Sequence, residues 1–235
     1  MAVIGGGPAG LMAADVLSHA GVKVNLYDSM PSVGRKFLMA GKSGLNLTHA
    51  EEWTIFLSRY AKQESKLTPI LNSFTSSHLR DWAQELGVDT FVGSSGKVFP
   101  VNMKAAPLLR TWLHRLRGQS VRFHVRHRWI GWDAQENLVF HYPEGKTVVH
   151  ADAVIFALGG GSWARLGSTG DWVHEFQKKG ISVHPLKPAN CGFEVPFSSL
   201  FFERFSGQPL KSIRAIFSDS QGSTFNEMGE LVITQ

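Results

Sequence analysis

The chain has 235 residues, 43% hydrophobic and 18% charged, with 24 Lys and Arg against 19 Asp and Glu and a net charge of +5. This balance excludes a disordered chain and leaves room for one large domain or two small ones. No apolar run nears the roughly 18 residues that span a bilayer, the start lacks a basic signal-peptide region, and a single cysteine, Cys191, excludes an intrachain disulfide, so a cytoplasmic protein without membrane contact is expected.

The chain opens on a short β-rich run, Val3 and Ile4, followed by Gly5, Gly6, Gly7, Pro8, Ala9 and Gly10 and then a helical run over residues 11–20. Gly5, Gly7 and Gly10 fit the G-x-G-x-x-G spacing of a dinucleotide turn. In such a turn the first glycine bends the chain out of the strand. The second lets a pyrophosphate reach the backbone, and the third brings helix and sheet together. Unpaired N–H groups at the helix start favour the anion, and Pro8 fits the first helical turn because its missing N–H has no partner there. A second strand is read over residues 22–27, ending at Asp28, 18 residues past Gly10. A carboxylate at that tip is placed to hold a ribose diol and to repel a 2′-phosphate.

Residues 29–49 read as a long loop without periodicity, and loops of that length inside a domain are usually functional. Arg35 and Lys36 suit phosphate or ribose contacts, and Asn46 and Thr48 offer short polar groups. The Gly41, Lys42, Ser43 run is not a P-loop, since no glycine stands five residues before Gly41 and no strand leads into it. Helices follow over 51–62 and 76–86, then a hairpin over 90–100 turning at 93–96. The next helix, 103–116, buries Leu108, Leu109, Trp112, Leu113 and Leu116. Segments 121–125, 129–133, 138–142 and 147–150 read as a small β-meander, whose tryptophans suit a core rather than a ligand platform.

The nearly continuous apolar run 153–158 predicts a parallel strand buried on both faces, and it ends in glycines that mark a tight turn or a close approach to a ligand. A helix up to Lys179 and a short strand over 181–184 come next. From Pro188 onward, short β segments at 191–195, 210–217 and 230–234 suggest a second, β-rich domain. The expected organisation is therefore residues 1–187 and residues 188–235. Cys191 reads as a small buried residue. Between Arg110 and Arg128 stand six arginines, three histidines and no acid. That run reads as a solvated basic face, or as a patch for RNA or phosphate.

In their order, Gly5 to Gly10, the Gly34, Arg35, Lys36 loop, the segment from Gly44 to His49 and the Ala157, Leu158, Gly159, Gly160 strand end resemble the BaiN-like (YhiN-like) family of bacterial FAD-dependent oxidoreductases. The Asn190, Cys191, Gly192, Phe193 and Pro209, Leu210, Lys211 segments resemble one branch of it. The resemblance implies an α/β fold: a glutathione-reductase-like, Rossmann-type FAD domain with a small meander, interrupted by an inserted β-rich domain. It implies non-covalent FAD with its pyrophosphate on residues 5–10 and its adenosine ribose on Asp28. Arg35 and Lys36 match positions flanking ribose and phosphates, and Asn46 and Thr48 the loop toward the flavin. Val125 matches the strand bordering the adenine, while Ala157, Gly159 and Gly160 match the strand end near the adenosine. Much of the family carries Gly-Arg-Cys-Asn where this chain has Gly44, Leu45, Asn46, and family members continue well beyond residue 235.

The expected activity is oxidoreduction of a small organic substrate through FAD, with a nicotinamide, NAD(P)H, or oxygen as the other partner. One fingerprint means no separate nicotinamide domain. No side chain stands out as catalytic acid or base; His49 is a candidate by position only, against a loop-packing role. No metal site is expected. Two rival readings are an FAD-dependent RNA-modifying protein using the Arg110 to Arg128 run, and a truncated flavoprotein that turns nothing over.

Overall fold

The computed structural model describes residues 1–41, 44–187, 194–218, 222 and 224–234. It divides into two units, Met1–Leu186 and Lys187–Gln235. Lys42, Ser43, Pro188, Asn190, Cys191, Gly192 and Phe193, all drawn on in the sequence reading, lie outside the described residues.

The first unit is built on β1 (Ala2–Ile4), α1 (Pro8–His19) and β2 (Asn25–Asp28). Pro8 stands at the first helical position and Gly21, with φ of +78°, follows the helix end. After β2 come α2 (Arg35–Ala40), β3 (Thr48–His49), α3 (Trp53–Ser58), α4 (Glu64–Ser73), α5 (Ser76–Glu85), β4 (Thr90–Val92), β5 (Lys97–Pro100) and α6 (Ala105–Gly118). The unit continues with β6 (Arg122–Val125), β7 (Arg128–Trp132), β8 (Leu138–Tyr142), β9 (Gly145–Val149), β10 (Val154–Phe156) and α7 (Trp172–Lys178). Four strands form a parallel sheet in the order β10-β1-β2-β6, with β3-β5-β4 and β7-β8-β9 as antiparallel sheets. This is the Rossmann-type α/β fold with an added meander.

Side chains alternate across the parallel strands, and the alternation builds two cores. Val3 and Leu26 face a helical layer with Leu11, Leu108, Trp112 and Leu116. Ala2, Ile4 and Tyr27 face the meander, where Trp129, Leu138 and Phe140 are buried with them. Each fully buried leucine here is worth about 1.5–3 kcal/mol over an exposed one. Leu26 is fully buried at the centre of the sheet, so Leu26→Ala costs about 2–5 kcal/mol.

Several sequence expectations are corrected. The 29–49 segment is not all loop: a left-handed Gly34 starts α2, and β3 pairs with β5. The helix expected over 51–62 is interrupted, and α4 follows it with Pro69 inside. The 121–125 strand belongs to the parallel sheet rather than the meander, pairing Asp28 with Val125. β10 lies at the sheet edge and is half-buried, and no strand forms over 181–184. Leu113 is only half-buried.

The second unit contains α8 (Ser199–Phe205), capped by the Ser198 hydroxyl accepting from the Phe201 N–H, and a ribbon of β11 (Pro209–Ser218) with β12 (Thr224–Val232). Residues 194 and 195 form no strand.

Candidate functional site

A cleft of about 720 Å³ opens where β1, β2 and β10 end, lined by Gly5, Gly6, Gly7, Pro8 and Ala9 on one side. Ligands in open parallel sheets bind beyond the carboxyl ends of the strands, and this cleft has that position. The turn after β1 is tight. Gly5 has φ of +109° and a Cβ there would lie 2.3 Å from the Ala157 carbonyl oxygen. A Cβ on Gly10 would lie 1.8 Å from the Gly5 oxygen, so Gly10 sits beneath the turn and not in the cleft wall. Gly7 is different: a Cβ there meets nothing within 4 Å. Its open face, with the start of α1 behind it, leaves room for an anion against the backbone.

Asp28 closes this side. Its Oδ2 accepts from the Gly6 N–H at 2.6 Å and its Oδ1 from the Met30 N–H at 2.7 Å. Burial pushes the carboxyl above the usual aspartate range, opposed by the Met30 and Gly6 N–H groups and by the Arg35 charge. A carboxylate has about four lone-pair sites, so each oxygen retains capacity for a hydroxyl donor.

Arg35 and Lys36, in the first turn of α2, both line the cleft. The Arg35 guanidinium makes one long bond, 3.4 Å to Ser32, and its buried Nε has no acceptor among the described residues. Lys36 Nζ donates to Ser162 Oγ at 3.1 Å and Ser168 Oγ at 3.3 Å, and Ser168 donates to the Gly160 oxygen. Lys36 therefore ties α2 to the loop after β10. Asn46 is exposed and lines the cleft, its neighbours pinned by Leu45 N–H to Met103 and Leu47 N–H to Val98. Ala157 and Gly159 also line it.

Four of the expected residues stand back from the wall. Gly10 and Gly160 lie just behind it, Val125 is beside Asp28 on β6, and Thr48 is paired with Val98. His49 is also outside the cleft. Its Nε2 meets the Ser95 oxygen at 2.9 Å, its Nδ1 accepts from the Glu51 N–H, and its ring packs on Gly96.

Sequence reasoning missed several parts of the lining, among them the segment from Leu166 to Glu175 after β10. His127 enters from the turn after β6, which only the parallel pairing of β6 reveals. At the other end, Met12, Phe37, Leu79, Trp82 and Trp112 make an apolar floor. Both indoles donate to one oxygen of buried Asp15, at 3.1 and 2.9 Å, and Arg115 Nη2 donates to the same oxygen at 2.7 Å. These tryptophans are thus core residues that also form a wall. Within the basic run, Arg115 is bound to Asp15 and Arg128 to Asp171, while Arg110, His114 and Arg117 stay exposed along α6.

The cleft thus brings together the open backbone face of Gly7, the Asp28 carboxylate, two cations and an apolar floor. The sequence pattern of the HI0933-like protein Rossmann domain matches residues 1–228. Among solved structures, THI4 of Thermovibrio ammonificans is 20% identical, with 77% of this chain and 62% of that one covered and a TM-score of 0.47. The open conformation of a flavocytochrome c3 fumarate reductase is 16% identical over 75% of this chain and 39% of that one, at 0.48. A 3-ketosteroid-Δ4-(5α)-dehydrogenase of Rhodococcus jostii RHA1 is 15% identical over 68% and 45%, at 0.49. The chain spans 39–62% of the length of these three proteins.

Proposed function

The chain belongs to the HI0933-like Rossmann-domain family, a family of FAD-dependent oxidoreductases, and from that membership we propose that its cleft holds FAD non-covalently for oxidoreduction of a small organic substrate. The observation that carries the reading is one contiguous wall: the open backbone face of Gly7, the start of α1, and Asp28 clamped to Gly6 at 2.6 Å. The residues present fit the cofactor. The pyrophosphate is assigned to residues 5–9 and the under-partnered Arg35, the ribose diol to Asp28, and the ribityl side to Lys36 and Asn46.

When bound, FAD supplies hydride or electron transfer. The chain's own residues bind, orient and exclude water. Asp28 accepts from hydroxyls while its other lone pairs hold the turn closed. Arg35 neutralises phosphate charge. The buried indoles of Trp82 and Trp112 keep one end of the cleft dry. We propose the BaiN-like (YhiN-like) family from the order of the 5–10 turn, the Gly34, Arg35, Lys36 loop, the 44–49 segment and the 157–160 strand end, with NAD(P)H as a visiting donor and the cytoplasm as its compartment.

An absorbance spectrum of the purified chain, before and after FAD addition and removal of excess, tests this. Retained bands near ~370 and ~450 nm are expected of protein-bound flavin. A chain that stays colourless and does not perturb added FAD refutes it. A second reading, an RNA-modifying flavoprotein, draws on exposed Arg110, His114 and Arg117 one turn apart on α6. Salt-dependent tRNA binding lost on Arg→Glu substitution there would favour it.

A further inference from the structure

β6 ends at Val125 and the chain turns through Arg126, a non-glycine residue with φ of +59°. Such a conformation costs about 1 kcal/mol or more and persists where its surroundings enforce it. Here the Arg126 N–H donates to the Met30 oxygen at 3.0 Å and the His127 N–H to the Asp28 carbonyl oxygen at 2.9 Å. The turn thus delivers the His127 side chain into the cleft wall beside Asp28.

The imidazole is held in one orientation. It stacks on Tyr142, centroids 5.2 Å apart at 15°, with His124, Tyr27 and Phe140 around its edges. Its Nδ1 lies 2.8 Å from the Val125 carbonyl oxygen. A carbonyl oxygen only accepts, so Nδ1 carries the hydrogen and the neutral ring has its lone pair on Nε2. Nε2 has no hydrogen-bond partner among the described residues. The nearest cation along the chain toward β7, Arg128, is occupied by Asp171 at 3.2 Å. The wall next to Asp28 therefore presents a fixed, unused acceptor.

If Asp28 held a ribose, its base would be one glycosidic bond away, on the side where β2 and β6 pair Asp28 with Val125 and His127 lines the cleft. Resting on the cofactor reading above, we propose that His127 is the specificity-determining residue for the base: its Nε2 accepts from the exocyclic amino group of adenine. An aminopurine offers a donor there. An oxopurine offers an oxygen, and two lone pairs face each other. Sites built around a hydrogen bond reject the analogue that cannot make it far more strongly than apolar pockets reject a size change.

The test measures calorimetric affinities of the chain for ADP, inosine diphosphate and inorganic pyrophosphate, in wild type, His127→Phe and His127→Gln. Phenylalanine keeps the stack on Tyr142 without the acceptor; glutamine offers an amide that can turn either its oxygen or its N–H to the base. Wild type is expected to prefer ADP over inosine diphosphate by at least about tenfold. His127→Phe should bring that ratio to about one with pyrophosphate affinity unchanged, and His127→Gln should bind both diphosphates with a ratio near one, since its amide can pair with either base. A wild-type ratio near one, a ratio that survives in His127→Phe, or parallel loss of pyrophosphate affinity overturns the proposal. Binding of FAD and ADP without base preference overturns the base contact alone. A wild-type chain that takes neither FAD nor ADP overturns the cofactor reading and the base contact with it.

Discussion

Replacing Gly7 by alanine separates the requirements of the site from those of the fold. At Gly7 φ is −79°, which any residue adopts, and the added Cβ meets nothing within 4 Å. The folded chain therefore accepts the methyl. Restricting the unfolded chain stabilises by about 0.4–1 kcal/mol, while alanine is a poorer N-cap than glycine by roughly the same amount. The net change is within about 0.5 kcal/mol, a Tm shift of about 2 °C or less for a chain of this size. The methyl nevertheless covers the face on which a phosphate oxygen would sit at about 2.9 Å from the backbone. FAD affinity should fall at least about tenfold, or 1.4 kcal/mol. Gly10→Ala supplies the contrast: its Cβ would stand 1.8 Å from the Gly5 oxygen, and displacing α1 costs about 3 kcal/mol. Thermal unfolding by circular dichroism and flavin titration on the same preparations read both effects. A Gly7→Ala chain that loses more than about 5 °C of Tm, or binds FAD as tightly as wild type, would refute the reasoning.

Asp15→Leu strands two indole N–H groups and Arg115 around an apolar side chain, and should cost about 3–5 kcal/mol in denaturant unfolding; a loss under about 1 kcal/mol would sink that account. His124 is held below the usual histidine range by burial, then by the His127 and Arg122 charges. Its neutral form favours the fold, so its contribution is complete above the unfolded value of about 6.5 and is lost as pH falls toward the lower folded value. Urea unfolding of His124→Phe should show a smaller loss between pH 7 and 5 than wild type; equal losses count against it. For Asp28 the sign is opposite to that of most carboxylates: with its pKa raised, its contribution is present at low pH and lost as pH rises through the folded value. Asp28→Asn should remove that slope and weaken FAD binding at least about tenfold, since its amide nitrogen cannot accept a ribose hydroxyl.

The parts legible in the sequence are those that residue type fixes locally. Gly10 is required by a contact with Gly5 and Gly5 by its own φ of +109°, so spacing alone located the turn, and the alternation of 121–125 located a strand. Pairing is not local. β6 has exposed ends and half-buried middle residues, not the continuous apolar run of an interior parallel strand, so it reads equally well as meander. β10 has that run but lies at the sheet edge, its partner on one side only. α2 is six residues long, too short to show a period, and Pro69 hides α4 behind a helix-breaking signal.

The same division governs the site. Asp28 follows from the turn because 18 residues of helix and strand bring it back to Gly6. Trp82 and Trp112 reach Asp15 across 67 and 97 residues, and nothing in their local sequence announces that both indoles converge on one oxygen. Asp15 stands on α1 only five residues after Gly10, so one helix presents its start to the glycine-turn side of the cleft and its buried carboxylate to the indoles of the floor. A shift of α1 along its axis would therefore move the turn at Gly7 and the aromatic floor together. The three donors on Asp15, one from α5 and two from α6, tie α1 to both helices.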